Sequence, residues 1–158
     1  MLKYRKLTDH ELSKFEKQFN RFLAKNSVDE DRWAEIQRKE PSKARYLIEL
    51  FSDYVFDNIL GNSPCLEKIT PKEFRTYYFS DDSVELIVVK LTQDAPEAFT
   101  NENITTVLGD ALIHDHLKIY RAEKEFDKSR EQEMYAVLES GTFPASKDNY
   151  ELLHDWIS

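Results

Sequence analysis

The sequence predicts an α+β fold, in which an antiparallel sheet of three or four strands is packed by N-terminal and C-terminal helices. Apolar residues recur at helical spacing before residue 62 and again after residue 100, and the pattern between them is extended. The run Val84–Leu91 is the clearest strand, because apolar side chains occupy both of its alternating faces. Such a strand needs a cover on each side, which helices of this chain or a second subunit could supply.

Three strands are predicted in the central segment, with a fourth further along the chain. The first three lie at about 65–69, 74–79 and 84–91, and Ser80–Ser83 joins the last two as a hairpin. The apolar segment at 117–120 is short enough to be the fourth strand. The number of strands is therefore three or four.

Three helices are predicted before the sheet. Thr8 and Glu11 have the spacing of a capping box, which begins the first helix, and Asn26 is a typical end for it. A short second helix covers about 29–39. Pro41 suits the first turn of a third helix, which runs to Leu60 and is closed by Gly61. Apolar residues surround much of this third helix, so it is expected to be the most buried.

Three more helices are predicted after the sheet. The first begins at Thr100 or Asn101. A strongly charged helix covers about 122–140 and ends before Gly141. A final short helix covers about 147–156. Helices thus precede and follow a compact block of strands, which is typical of an α+β fold.

The composition fits a single globular domain, 1–158, in the cytoplasm. With 158 residues, of which 41% are apolar, the chain is long enough to form one core. No segment approaches the ~18 apolar residues needed to cross a bilayer, and no signal peptide is visible, so no membrane partner is expected. The single cysteine, Cys65, excludes an internal disulfide and fits a reducing compartment.

The charge of the chain is acidic and unevenly distributed. A net charge of −8 argues against a nucleic-acid partner, which Lys and Arg would have to neutralise. The N-terminal 25 residues are basic, whereas the segment between Lys90 and Lys118 has no Lys or Arg and a net charge of −5. Taken alone, that segment suggests an acidic mimic of nucleic acid that binds a basic protein.

Several stretches of the chain resemble a family of small bacterial cytoplasmic proteins defined only as a domain of unknown function. The resemblance implies a stand-alone protein of the bacterial cytoplasm and brings with it no known activity, cofactor or catalytic residue. It is weakest between Asp94 and His116 and at the extreme C-terminus. The stretches, in one colinear order, are Lys3–Thr8, Ile48–Asp53 leading to Val55-Phe56, Leu66-Glu67 followed by Thr70–Lys72, and Leu117–Tyr120 leading to Glu123–Glu125 and Leu138–Gly141.

A basic stripe on the first predicted helix is a candidate surface for an acidic partner. Its residues lie opposite the apolar face at 100° per residue, over about 16 Å of helix. A solvated polar face is the alternative, because most amphipathic helices have one. The stripe consists of Lys14, Lys17, Arg21 and Lys25.

Glu49, Asp53 and Asp57 are spaced four residues apart along one edge of the third predicted helix. Crowded carboxylates could bind a metal or act as a general acid. They could instead pair with the basic stripe, within the chain or across a dimer. Dimetal helix bundles place a histidine three residues after a glutamate, whereas Ser52 occupies that position here. Ion pairing or solvation is therefore favoured.

His114 and His116 form the nearest approach to a metal motif. Residues two apart diverge on a helix, but on a strand they share a face and could share an ion. Only His10 and His154, from opposite ends of the chain, could complete a histidine set. A polar junction between a helix and a strand is the alternative interpretation.

No catalytic or cofactor motif is visible, since the sequence lacks a Gly-rich phosphate loop, G-x-S-x-G and H-E-x-x-H. We predict no catalytic residue, no cofactor and no metal. The favoured function is a non-enzymatic module that binds a protein partner or self-assembles, for example as a homodimer. The alternatives are a small metal-dependent enzyme or regulator, using His114, His116 and the helix carboxylates, and the acidic nucleic-acid mimic.

Overall fold

The computed structural model describes residues 2–158 and confirms the α+β class. In that range there are seven helices and five strands. No helix among these residues is both long enough and apolar enough to span a bilayer. The helices are α1 (Asp9–Lys14), α2 (Glu16–Lys25), α3 (Glu30–Lys39), α4 (Pro41–Asn62), α5 (Ile104–His114), α6 (Arg130–Glu139) and α7 (Asp148–Ile157). The strands are β1 (Cys65–Ile69), β2 (Glu73–Phe79), β3 (Ser83–Leu91), β4 (Leu117–Glu125) and β5 (Phe143–Ala145).

The chain divides into two compact units, Met1–Ile59 and Leu60–Ser158. The first contains α1, α2, α3 and most of α4, and we call it the helical unit. The second contains the sheet with α5, α6 and α7, and we call it the sheet unit. That residues 1–158 behave as one domain stays a prediction.

The predicted first helix is broken in two at Phe15. The capping box is present as predicted, because Thr8 Oγ1 accepts from Glu11 N (3.1 Å) and Glu11 Oε1 accepts from Thr8 N (2.9 Å). Phe15 leaves helical geometry at φ −104° and ψ 23°, and its N–H bonds to the carbonyl of Leu12. The prediction of one helix to Asn26 was therefore wrong, and Lys14 lies on a different helix from the rest of the basic stripe.

Aromatic side chains form the core of the helical unit. The Phe51 ring on α4 is fully buried, with its centroid 5.0 Å from that of Phe19 and 5.4 Å from that of Phe22. Trp33 of α3 meets Phe19 edge-on at 5.2 Å, a favourable geometry for aromatic pairs. α4 continues through Gly61 to Asn62, two residues past Leu60, the predicted last residue of the helix.

The sheet has five strands, in the order β4-β3-β2-β1-β5, and every neighbouring pair is antiparallel. The prediction of three or four strands was therefore wrong in number. The missed strand, β5, has three residues and pairs with β1 from Cys65↔Ala145 to Glu67↔Phe143. A strand this short, with Pro144 at its centre, has no periodic pattern to reveal it.

β4 has nine residues, more than twice the length of the predicted strand at 117–120. It pairs with the whole of β3, from Leu91↔Leu117 to Ser83↔Glu125. Residues 122–125 are Ala, Glu and Lys, which favour helix in isolation, and this explains their assignment to a helix at 122–140. Pairing with β3 overrides that propensity, and α6 begins only at Arg130, behind a capping box at Ser129.

Both faces of β3 are covered at its centre, as predicted. Ile87 and Val89 are fully buried on one face, and Val88, on the other, is 8% exposed. The first face packs on α5 and α7 in the core of the sheet unit. That core consists of Phe74, Ile87, Val89, Phe99, Ile104, Val107, Leu108, Leu112 and Leu153.

We expect Ile87→Ala to lower the free energy of unfolding by about 2–5 kcal/mol, because it removes buried methylenes and leaves a cavity. Urea denaturation followed by circular dichroism measures the change. Ile113→Ala is the control, since Ile113 on α5 is 70% exposed, and the expected loss is below about 0.5 kcal/mol. Equal losses in the two variants would contradict the position of Ile87 in the core.

Candidate functional site

An open groove of about 750 Å³ lies between α1, α2 and α3 in the helical unit. Its floor is mostly apolar, and its acidic residues are exposed. We call it the acidic groove. The apolar residues are Leu12, Phe19, Leu23, Ala24, Val28, Trp33 and Ile48, and the acidic residues are Asp9, Glu16, Asp29 and Glu30.

Local backbone features hold the walls of the acidic groove apart. The break at Phe15 separates α1 from α2. Ser27 has a left-handed φ of 62°, and the N–H of Val28 donates to the carbonyl of Leu23 (2.8 Å), so the chain turns sharply after α2. Asp29 then caps α3 by accepting from Arg32 N (2.8 Å). Between these short helices, Leu12, Trp33 and Ile48 keep part of their surface exposed, whereas the deeper Phe19, Leu23 and Val28 are buried.

None of the residues that line the acidic groove is Lys or Arg. The predicted basic stripe lies elsewhere on the same helices, and all four of its residues are exposed. Docking of an acidic partner on that stripe stays a prediction. α1 and α2 thus carry acidic residues at the groove and basic residues outside it, namely Lys14, Lys17, Arg21 and Lys25.

The carboxylates of α4 bind the start of the chain. Asp53 accepts the backbone N–H groups of Lys3 (2.9 Å) and Tyr4 (3.2 Å). Asp57 accepts Lys3 Nζ (2.6 Å) and the Tyr4 hydroxyl (2.7 Å). Burial acts to raise the pKa of Asp57, but the hydrogen bonds from Lys3 and Tyr4 outweigh it and hold the pKa below its usual value. These partners are not the basic stripe, and the half-buried Glu49 lies one turn earlier on α4.

Ser52 completes this attachment, and we call Ser52, Asp53 and Asp57 the N-terminal clamp. Ser52 Oγ is fully buried, accepts from Leu7 N (2.9 Å) and donates to the carbonyl of Ile48 (2.7 Å). In a dimetal helix bundle a histidine ligand would occupy the position of Ser52. The Ser52 hydroxyl instead satisfies a buried backbone N–H, which would be costly to leave unpaired.

Arg5 binds Glu11 next to the N-terminal clamp. Two hydrogen bonds of 2.7 and 2.9 Å join the guanidinium to the two oxygens of the carboxylate. The bond from Arg5, followed by the backbone N–H of Thr8, lowers the pKa of Glu11 to about 2. The ion pair therefore stabilises the fold above the unfolded pKa of 4.5, and this contribution disappears as the pH falls towards 2.

His114 and His116 lie together at the end of α5, in the sheet unit. Their ring centroids are 5.7 Å apart, and Asp115 between them ends the helix with a left-handed φ of 58°. With Glu97 and Asp110 they line a pocket of about 260 Å³. The carboxylates of α4 lie in the other unit. Among residues 2–158, no three His, Cys, Asp or Glu side chains are grouped so that they could hold a metal ion.

Glu67 is a buried carboxyl group that belongs to none of the predicted sites. It lies on β1 opposite Thr76 of β2, and only 3% of its surface is exposed. Asn149 of α7 donates to Oε1 (3.3 Å), whereas Oε2 and Thr76 Oγ1 have no hydrogen-bond partner among the described residues. Burial raises the pKa of Glu67 to about 7. Side chains alternate between the two faces of a strand, so the sequence pattern alone places Glu67 on the same face as the apolar Ile69. This alternation is the signal that could have located Glu67.

Polar contacts fix α7 to the same face of the sheet. The Tyr150 hydroxyl donates to Glu85 Oε1 (2.8 Å), and Arg121 donates to Glu85 Oε2 (2.8 Å). Burial acts to raise the pKa of Glu85, but these two donors outweigh it and lower the pKa. The Tyr150 ring also stacks on Tyr78, with 4.6 Å between centroids. Glu67 therefore lies beneath a helix that other residues hold in place.

The chain folds as an α+β protein in which a helical unit precedes, in sequence, a five-stranded antiparallel sheet unit. The chain belongs to the family described as "Family of unknown function (DUF6495)", whose model matches residues 1–158. No curated protein and no solved structure matches the chain. The resemblance drawn from the sequence is thus confirmed over the whole chain, while a bacterial origin and a cytoplasmic location stay predictions.

We expect Glu67→Gln to stabilise the protein at high pH. Because the pKa of Glu67 rises from 4.5 to about 7 on folding, the folded chain binds more protons between these pH values, and stability falls as the pH rises. At about 1.4 kcal/mol per pKa unit, the variant should gain up to about 3 kcal/mol at pH 8 and almost nothing at pH 4. Urea denaturation at the two pH values measures the gain.

The control for this experiment is Glu151→Gln, which changes an exposed carboxyl group on α7. Its expected effect is below about 0.5 kcal/mol at either pH, as for most surface substitutions. A gain from Glu67→Gln that is equal at pH 4 and pH 8 would contradict a buried, titrating carboxyl group.

Proposed function

We propose that the protein is an interaction module that binds a basic amphipathic helix of a partner protein in the acidic groove. The observation that carries the proposal is the composition of the groove, in which apolar side chains form the floor, acidic residues are exposed, and Lys and Arg are absent from the lining. A helix with one apolar face and flanking Lys or Arg residues has the complementary surface. Such a function needs no catalytic group, which agrees with the non-enzymatic prediction.

The dimensions of the acidic groove suit a short helix. α2 and α3 have ten residues each, so each wall is about 15 Å long at 1.5 Å per residue. About three turns of a bound helix would lie along such a wall and present apolar residues at positions i, i+3, i+4 and i+7. This is the common mode in which a helix occupies a groove between helices.

The apolar floor and the acidic residues have different roles in this proposal. Burial of partner side chains against Leu12, Trp33 and Ile48, which are half-buried in the free protein, supplies affinity, at about 1.5–3 kcal/mol gross for each fully buried apolar side chain. The exposed carboxylates of Glu16 and Glu30 attract and orient the basic flanks of the helix. Their effect weakens with added salt, because exposed charges are screened within about 8 Å at physiological ionic strength.

Trp33 provides a direct measurement of binding. The chain has two tryptophans, so Trp156→Phe leaves Trp33 in the acidic groove as the only one. We expect an amphipathic peptide of about 18 residues, with leucine on one face and lysine on the other, to shift the Trp33 emission to shorter wavelength in a saturable manner. The same peptide with glutamate in place of lysine should bind at least about tenfold more weakly.

Two neighbouring acidic residues give a matched pair of variants. Glu30 and Asp31 are both exposed in the first turn of α3, but only Glu30 lines the acidic groove. Glu30→Lys should weaken binding of the lysine peptide about fivefold, and Asp31→Lys by less than about twofold. Equal losses in the two variants, or equal binding of the glutamate peptide, would overturn the proposal. So would a shift of Trp33 emission with protein concentration alone, because a second copy would then be the occupant.

A further inference from the structure

The acidic segment of the sequence forms the wall of a pocket in the sheet unit. The residues that line the 260 Å³ pocket all fall within 91–117, the stretch without Lys or Arg. Its apolar surface comes from Leu91, Ala95, Pro96, Val107 and Ala111. A concave apolar surface with a few polar groups is typical of a small-molecule site.

The polar groups of this pocket are mainly hydrogen-bond acceptors. Glu97 and Asp110 contribute carboxylates. His114 Nδ1 lies 2.8 Å from the carbonyl oxygen of Asp110. A carbonyl only accepts, so Nδ1 carries a proton and donates to it. A ligand that satisfies these groups must bring hydrogen-bond donors, and a cationic donor forms the stronger hydrogen bonds with carboxylates.

Hydrogen bonds hold the pocket open without a ligand. The loop after β3 is tied to the end of α5 by Thr92 N, which donates to the carbonyl of His116 (2.8 Å). Further along, Phe99 N donates to the carbonyl of Pro71 (2.9 Å), and the Phe99 ring is buried in the core. The two walls are therefore fixed before binding, which lowers the entropy that a ligand must overcome.

We propose that this pocket binds a small organic cation, namely a primary ammonium on a compact alkyl or aryl-alkyl body. The ammonium group donates to the carboxylates of Glu97 and Asp110, and the apolar body contacts Val107 and Ala111. The volume is smaller than that of a drug-sized site, which limits the ligand to about ten non-hydrogen atoms. This site is independent of the acidic groove, because it lies wholly in the sheet unit.

Three isosteric probes test the class of ligand. Phenethylammonium, 2-phenylethanol and phenylacetate share a ring and a two-carbon reach but carry a positive, a neutral and a negative end. In titrations of the ¹⁵N-labelled full chain, phenethylammonium should shift the amide signals of Val107, Ala111 and His116 saturably. The alcohol should bind at least about fivefold more weakly, and phenylacetate more weakly still.

Two double variants test the site. Glu97→Gln with Asp110→Asn should reduce the affinity for phenethylammonium to that of the alcohol. Asp94→Asn with Glu102→Gln removes the same charge from the same segment at residues that do not line the pocket, and should change the affinity by less than about twofold. All four residues are exposed, so both variants should fold, and the dispersion of the spectra checks this.

Several outcomes would overturn this proposal. The first is no saturable shift at about 20 mM phenethylammonium, well above the low-millimolar affinity expected of nine non-hydrogen atoms. The second is equal affinity for phenylacetate or for the alcohol, because the charge would then have no role. The third is an equal loss in both double variants, because binding would then follow net charge rather than the pocket.

Discussion

The structure of the helical unit depends on two neighbouring residues of α4, whose side chains accept hydrogen bonds from three backbone N–H groups near the N-terminus. Ser52 accepts from Leu7, and Asp53 accepts from Lys3 and Tyr4. These bonds fix the chain up to the residue before Thr8, whose capping box begins α1 and thereby places one wall of the acidic groove. Two of the stretches on which the family resemblance rests, Lys3–Thr8 and Ile48–Asp53, are therefore in contact.

Carboxyl groups have three distinct roles in this acidic chain. Asp53 and Asp57 accept hydrogen bonds from the N-terminal segment, which gives their spacing on α4 a structural reason. Those at the acidic groove and the small pocket are exposed, and we propose that they recognise cationic ligands. Glu67 is buried with an unpaired oxygen, which costs stability when it ionises. The same residue type thus stabilises the folded protein at one place and destabilises it at another, according to its burial and its donors.

The sequence predicted those features of the fold that residues close together in the chain determine. It did not predict the features that depend on strand pairing or on the angles between helices. The capping box at Thr8 and the doubly covered centre of β3 were predictable because neighbouring residues specify them. The length of β4 was not, because residues with helix propensity were drawn into pairing with β3. The acidic groove was also not predictable from the sequence. Its residues were visible as a helical face, but its existence depends on the break at Phe15 and the turn at Ser27.

The two outer strands of the sheet restrict how the protein can associate with itself. β5 has three residues, with Pro144 at its centre, and this residue cannot donate a ladder hydrogen bond. β4 carries an almost continuous charged run from Arg121 to Glu125, a feature that discourages the addition of another strand. Neither edge favours extension of the sheet into a second copy. A homodimer of this chain would therefore have to form through side-chain surfaces rather than through a continuous intermolecular sheet.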